Sequence, residues 1–468
     1  MPMGHRTRRD FMRRAATIGS VGAGGLLGLR LATMASVSAQ AATSEDFKAL
    51  VCYNMLGGND HLDTLYPYDP DNYNALRAIR GNQARDRATL LPITTATSQN
   101  GKAAALHPSL VKLRERYNKG QVAIISNVGA MRRPYTRAQL IAGAPLPPGV
   151  GSHNDGNAMW HALDPDGAIY GWGGLMADAV MSMNSNPTYS SINAGIYNPF
   201  GSGKLVQQYA VSSDSTALTL EGVGRYGDNF FGSPTFAADA ESWLSPNADN
   251  LMEKHYVGQV KRVLDGAKTM NDVFEAQKNF PRFFTNQTDV IAYRNNRAGF
   301  EMRAIAQVIA SRKALGVKRQ ILFVDHFGFD THGATVIAHG DLMKQVDAAL
   351  AYFADMLDLM GLSENVTTFT TSDFGRSLIP GGDGTGHGWS GCQFVMGGAV
   401  KGGDIYGELP TIGINSNNFL PDGSMIPHYS VEQMIGPLGR WFGVSQADMA
   451  RILPNRGQFP QADPAFMR

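Results

Sequence analysis

The chain has 468 residues, 43% hydrophobic and 17% charged, which is enough for a large core in one big α/β domain with an insertion, or in two domains, and which excludes disorder throughout. Of its 41 basic and 40 acidic side chains, six basic and one acidic lie in the first 41 residues, so the remainder is mildly acidic and gives no electrostatic case for nucleic acid or an anionic membrane as partner. Two cysteines, Cys52 and Cys392, exclude a disulfide framework, leaving either one bridge or two buried thiols.

At the amino terminus, Thr7-Arg8-Arg9-Asp10-Phe11-Met12 is a twin-arginine pattern, followed by a weakly apolar segment from Ala15 to Ala35. Ala39-Gln40-Ala41 offers small residues to a signal peptidase, so residues 1–41 are expected to be a leader read by the twin-arginine export machinery. The mature domain, 42–468, is then periplasmic or secreted. No later apolar run is long enough to span a bilayer, so no permanent membrane anchor is expected.

Residues 48–56 read as the first strand, ending in Gly57-Gly58-Asn59-Asp60, where paired glycines let the backbone turn and Asp60 projects at a strand's carboxyl end or simply forms the turn. A helix is predicted around 108–117 and a strand over 121–126. Beyond a proline-broken stretch, Gly151-Ser152-His153 precedes a short helical candidate at 157–163. Ser152 there is either a nucleophile beside free backbone N–H groups or the helix N-cap. Residues 180–285 read as an insertion or cap, polar with short β-like runs at 205–211 and 217–220, then helical from 236 to 278.

The chemistry concentrates between Gln320 and Gly391. An apolar strand-like run at 321–324 leads into Gly328-Phe329-Asp330-Thr331-His332. An amphipathic helix runs from Leu342 to Met360 with Gly361 placed to end it, and a second strand, 366–372, enters Asp373-Phe374-Gly375-Arg376. Gly386-His387-Gly388 follows a glycine-rich turn, then a strand at 392–396, and Ser430 with Gln433 resembles a capping box opening a last helix. Strands joined through a helix are parallel, so Asp330, His332, Asp373 and His387 can converge at one sheet edge. Carboxylates and imidazoles brought together are costly to desolvate, and a divalent cation satisfies them. No P-loop or dinucleotide fingerprint is present, so no nucleotide cofactor is indicated.

Taken together, the twin-arginine leader, Gly57-Gly58-Asn59-Asp60, Ser152-His153, Gly171-Trp172, Gly328-Phe329-Asp330-Thr331-His332, Asp373-Phe374-Gly375-Arg376 and Gly386-His387-Gly388 resemble domain-of-unknown-function family 1501, grouped with the alkaline phosphatase and sulfatase-like superfamily. The resemblance implies an α/β fold with a mostly parallel central sheet sandwiched by helices and metals at its carboxyl edge. It further implies that Asp330, His332 and His387 hold one metal while Asp60, Asp373 and Ser152 face a second. That second site is oxygen-lined, suiting magnesium or calcium better than zinc, unless His153 adds a nitrogen; Asn59 is a further candidate. The ion is zinc, manganese, magnesium or calcium.

These features lead to an exported metal-dependent hydrolase of a phosphate or sulfate ester, on a small molecule or a glycan. Ser152 is its expected nucleophile, with Arg376 contacting the developing charge. The alternative is a non-catalytic exported protein of the same fold that binds a glycan or a protein partner; Phe374, where two-metal phosphatases place a histidine, and Gly386 motivate it.

Overall fold

Lys48–Met55 (β1) is buried along nearly its whole length, as an apolar run covered on both faces requires. The structure, a computed structural model, describes residues 46–165, 167–196, 198–217, 250–285 and 287–468. The leader expected at 1–41, most of the β-like run expected at 217–220 and the start of the helical stretch expected from 236 lie outside the described residues, which omit 1–45 and 218–249.

The other strands of the main sheet are β2 (Val122–Gly129), β3 (Ser191–Asn193), β4 (Tyr209–Ala210), β5 (Arg319–His326), β6 (Val366–Ser372), β7 (Gly391–Met396), β8 (Asp404–Tyr406) and β9 (Tyr429–Ser430). They line up as β8-β2-β7-β6-β1-β5-β3-β4, with β9 pairing the end of β2. All neighbours are parallel except β7, which runs against both β2 and β6. This is the expected α/β architecture with a mostly parallel sheet.

Alternation along β1 divides the core into two layers. Ala49, Val51, Tyr53 and Met55 join a cluster with helices Arg297–Ala310 and Thr335–Met360, and Leu50 and Cys52 join one with helices Trp172–Val180, Val431–Phe442 and Gln446–Ile452. Cys392 belongs to the first layer and Cys52 to the second, so the sheet separates the two buried free thiols. Gly361 adopts the left-handed conformation (φ 67°) that closes the 335–360 helix, and Ser430 with Gln433 forms the capping box. Of the β-like run at 205–211 only Tyr209–Ala210 is a strand, because the preceding residues bind through Asp178, whose carboxylate accepts from the N–H groups of Lys204, Leu205 and Val206. Of the helical stretch expected at 236–278, the described residues form the helix Leu251–Ala276. Among the described residues no helix is long and apolar enough to cross a membrane.

Burial displaces several titrating groups in opposite directions. Desolvation pushes His61 and His326 down to about 4, and His107 and His161 to about 3. It pushes Glu301 up to about 8, and Asp325 and Asp347 to about 6. The unfolded chain takes up protons first at the histidines, so their contribution to stability is lost as pH falls from 6.5 toward 4 and below. At the three acids the native state binds protons first, so stability is gained as pH falls from 8, a gain complete once the ordinary values of 4.5 and 3.8 are passed. The two effects oppose each other in mildly acidic solution, and only the loss continues beyond. Four histidines against three acids leave a net loss, so the guanidinium denaturation midpoint is expected to fall steadily as pH drops from about 6.5 to about 3; a midpoint that holds down to about pH 4.5 contradicts this assignment of buried neutral histidines.

Candidate metal centre

Gly328-Phe329-Asp330-Thr331-His332 leaves β5 at its carboxyl end, and Asp373 leaves β6 at the same edge. Between them, Gly57 (φ +117°) lies so close that a Cβ there would stand 2.5 Å from the Asp330 nitrogen; its own N–H donates to Asp373 Oδ2 at 3.1 Å. Gly58 likewise makes room for the Phe374 ring, which an added Cβ would meet at 2.3 Å. The paired glycines after β1 thus serve close approach of two later loops.

A hairpin, Arg376–Gly381 with Gly384–His387, carries His387 to the same place. It is tied to the His332 loop by Thr385 N–H donating to the Thr331 carbonyl (3.2 Å) and by Asp383 accepting from Ala334 N–H (3.0 Å). Gly384 packs on the His332 backbone, where a Cβ would come within 2.1 Å. From the other side comes His153, first residue of the helix His153–His161.

Ligand-type atoms of His153, Asp330 and His387 lie within 4.8 Å of one another, and His332 adjoins two of them from the open side. His332 Nε2 lies 3.0 Å from Asp330 Oδ1 and 2.9 Å from His387 Nε2, and both His387 Nε2 and His153 Nε2 lie 3.4 Å from Asp330 Oδ1. Such separations are close to the ~3.3 Å expected between donors that each sit ~2.0–2.1 Å from a tetrahedral ion. The remaining ring nitrogens settle the tautomers. His387 Nδ1 donates to the Gly151 carbonyl at 2.8 Å, and His153 Nδ1 donates to Asp373 Oδ2 at 2.8 Å. In the neutral rings both Nε2 atoms are then bare lone pairs facing a carboxylate oxygen. That arrangement repels itself unless a proton or a cation stands among the donors. The same hydrogen bond to Asp373 holds His153 above the usual histidine range. Burial opposes ionisation of Asp330, but the hydrogen bond and charge of Arg376, with His153 and His332, keep it below the ordinary carboxylate value. The donor set fits a divalent cation, with Asp373 and the Gly151 carbonyl orienting two of its imidazoles.

The other expected site residues are placed differently. Asp60 caps the short helix His61–Thr64, forms a fully buried ion pair with Arg80 (2.6 Å) and is not part of the ligand group. Asn59 is also buried, its Oδ1 accepting from His339 Nε2 at 2.9 Å. A second ion faced by Asp60, Asp373 and Ser152 is therefore not assembled: Asp60 is consumed by Arg80, and the Phe374 ring packs against His387 (4.6 Å) and His153 (5.0 Å). Ser152 caps its helix, its Oγ accepting from Asp155 N–H (3.3 Å) and donating to Asp155 Oδ2 (3.2 Å). Arg376 is fully buried and engaged by the carbonyls of Gly57, Gly58, Phe329 and Thr385 as well as by Asp330. It positions Asp330, leaving no guanidinium face for a substrate.

Asp63, His107 and His339 form another buried group of metal-ligand type. Asp63 accepts from Tyr66, from Arg85 twice (2.7 and 2.8 Å) and from His339 Nδ1 (2.7 Å), while His107 Nδ1 accepts from Ser109 N–H. With its carboxylate already neutralised by Arg85, this group reads as a structural ion network. His339 and Arg85 carried no sequence signal, since a histidine within a long amphipathic helix is indistinguishable from a core residue.

Residues 265–452 match the model of a family described as a protein of unknown function, DUF1501. No curated protein matches the chain. Among solved structures the chain is similar to the PsFucS1 sulfatase from Pseudoalteromonas sp., with 12% identity, 93% of this chain and 77% of that one covered, and a TM-score of 0.36. It is also similar to Ps i-CgsB in complex with k-i-k-neocarrahexaose, with 10% identity, 88% and 76% covered, and a TM-score of 0.33.

Proposed function

We propose that the protein is an exported metal-dependent hydrolase of a sulfate or phosphate ester. The observation that carries this is the convergence of His153, His332 and His387 on Asp330, with Asp373 and the Gly151 carbonyl fixing two imidazoles so that their lone pairs face inward. A bound divalent cation supplies positive charge to the ester's oxygens and lowers the pKa of a coordinated hydroxyl or water. An imidazole-rich set of this kind suits zinc or manganese better than calcium.

Ser152 stands between Gly151 and His153, two residues that touch the centre, at the amino end of a helix whose dipole favours anions. In the proposed reaction Ser152 Oγ attacks sulfur or phosphorus, and its proton passes to Asp155 Oδ2, the hydrogen-bond partner 3.2 Å away. The bond to the ester oxygen breaks, and the alcohol leaves with its electron pair and takes a proton from solvent. Water then releases the sulfate or phosphate and restores Ser152. Asp330 and His332, with side chains 46% and 54% exposed, leave the centre open to substrate on one side, while Phe374 closes the other.

Ser152→Ala is expected to lower turnover of aryl sulfates or phosphates about a thousandfold or more while bound metal stays unchanged. Undiminished turnover removes Ser152 from the chemistry. The second reading, a non-catalytic protein binding a glycan or a protein partner, is favoured by the engagement of Ser152 Oγ in the helix cap. Stoichiometric metal without turnover of any sulfate or phosphate ester in the wild-type chain selects it.

A further inference from the structure

The edge of the sheet opposite the metal centre carries a cleft of about 600 Å³, within the roughly 300–1,000 Å³ typical of small-molecule sites. It opens where β1 and β5 begin, so the length of an eight-residue strand, roughly 25 Å, separates it from the centre. Its walls include Phe47, Met183 and Val317 on the apolar side and Arg312 and Lys318 on the basic side.

Arg312 is unusual among the buried cations. Only 2% of it is exposed, yet its Nε and Nη2 have no hydrogen-bond partner, and among the described residues it forms no ion pair. Its charge is met by one carbonyl, that of Ile309 at 3.3 Å from Nη1, and by the face of Phe47, 5.5 Å from the guanidinium carbon. Other buried arginines here are fully engaged: Arg80 holds Asp60 and two carbonyls, and Arg376 holds Asp330 and four. The acid on the cleft wall, Asp46, is bound to Arg319 at 2.6 Å and is not available to compensate. Burial also pushes the Arg312 guanidinium down from its ordinary value, the response of a cation without a counter-charge. An incompletely paired buried cation is disfavoured relative to a paired one, and a ligand carrying negative charge relieves that.

We propose that this cleft binds a small organic anion, a carboxylate or sulfonate on a compact apolar body, with Arg312 and Lys318 receiving the charge and Phe47 and Met183 the body. The site is independent of the metal centre and of the reaction assigned to it.

Titration calorimetry of the full chain with naphthalene-2-sulfonate, beside the neutral 2-naphthalenemethanol, tests this. The sulfonate is expected to saturate a single site and the alcohol to show no binding. Lys318→Gln, which alters an exposed side chain and leaves the fold intact, is expected to weaken the sulfonate about fivefold. Arg312→Gln is expected to weaken it about fiftyfold. His387→Ala, at the other edge of the sheet, is expected to bind it as the wild type does. Equal binding of alcohol and sulfonate, an unchanged affinity in Lys318→Gln, or loss of binding in His387→Ala overturns the proposal; the last result places the anion at the metal centre.

Discussion

His387→Ala is expected to take the purified protein from about one divalent ion per chain to nearly none, the largest single effect the structure supports. His387 Nε2 faces both His332 Nε2 and Asp330 Oδ1, and its loss leaves a site with fewer nitrogen donors and a hole at its centre. Asp373→Asn is a milder companion. It replaces the acceptor of His153 Nδ1–H, so the imidazole loses its fixed tautomer and metal affinity drops about 10–100-fold. Elemental analysis after folding with zinc or manganese reads both. If the wild-type chain holds no ion under those conditions, the cluster is a proton-sharing network and the hydrolase proposal fails with it.

Asp60→Ala is expected to lower stability by about 3–5 kcal/mol with the metal content unchanged. The substitution strands Arg80, whose side chain is 2% exposed and retains only the carbonyls of Ser377 (2.7 Å) and Leu378 (3.3 Å). A lower denaturation midpoint in Asp60→Ala, substantially restored by adding Arg80→Met, identifies the uncompensated cation as the cause. Metal lost with stability intact instead makes Asp60 a ligand.

Periodicity made most of the sheet legible. β6 falls on the residues read as a strand, β1 and β5 differ by only a few, and the 335–360 helix closes at Gly361 because glycine alone enters the left-handed region freely. Parallel pairing of β1 with β5 and β6 brings the loops carrying Asp330, His332 and Asp373 to one sheet edge. Asp60 misled because a residue after Gly-Gly at a strand end looks the same whether it faces a cation in solvent or a buried Arg80 twenty residues on. Arg376 misled similarly: nothing in Asp373-Phe374-Gly375-Arg376 reveals that the guanidinium turns inward to carbonyls. His153 was visible only as a possible addition, since its role depends on Asp373, 220 residues away. The short hairpin delivering His387 reads in sequence as a glycine-rich turn, because strands so short lack a period to recognise.

β7 runs against its neighbours, so the chain reaches the functional rim before entering that strand rather than on leaving it. His387 accordingly lies upstream of β7, joined to it by only Gly388-Trp389-Ser390, with Trp389 anchored by its indole N–H to the Ala130 carbonyl (2.8 Å). Lengthening that three-residue link would swing the imidazole away from its partners. The chain leaves Met396 at the far rim, where Gly397 and Gly398 pack so closely on Val366 and Ser363 that a Cβ on either would stand within 3 Å of their backbone, so that turn is as constrained as the link to His387.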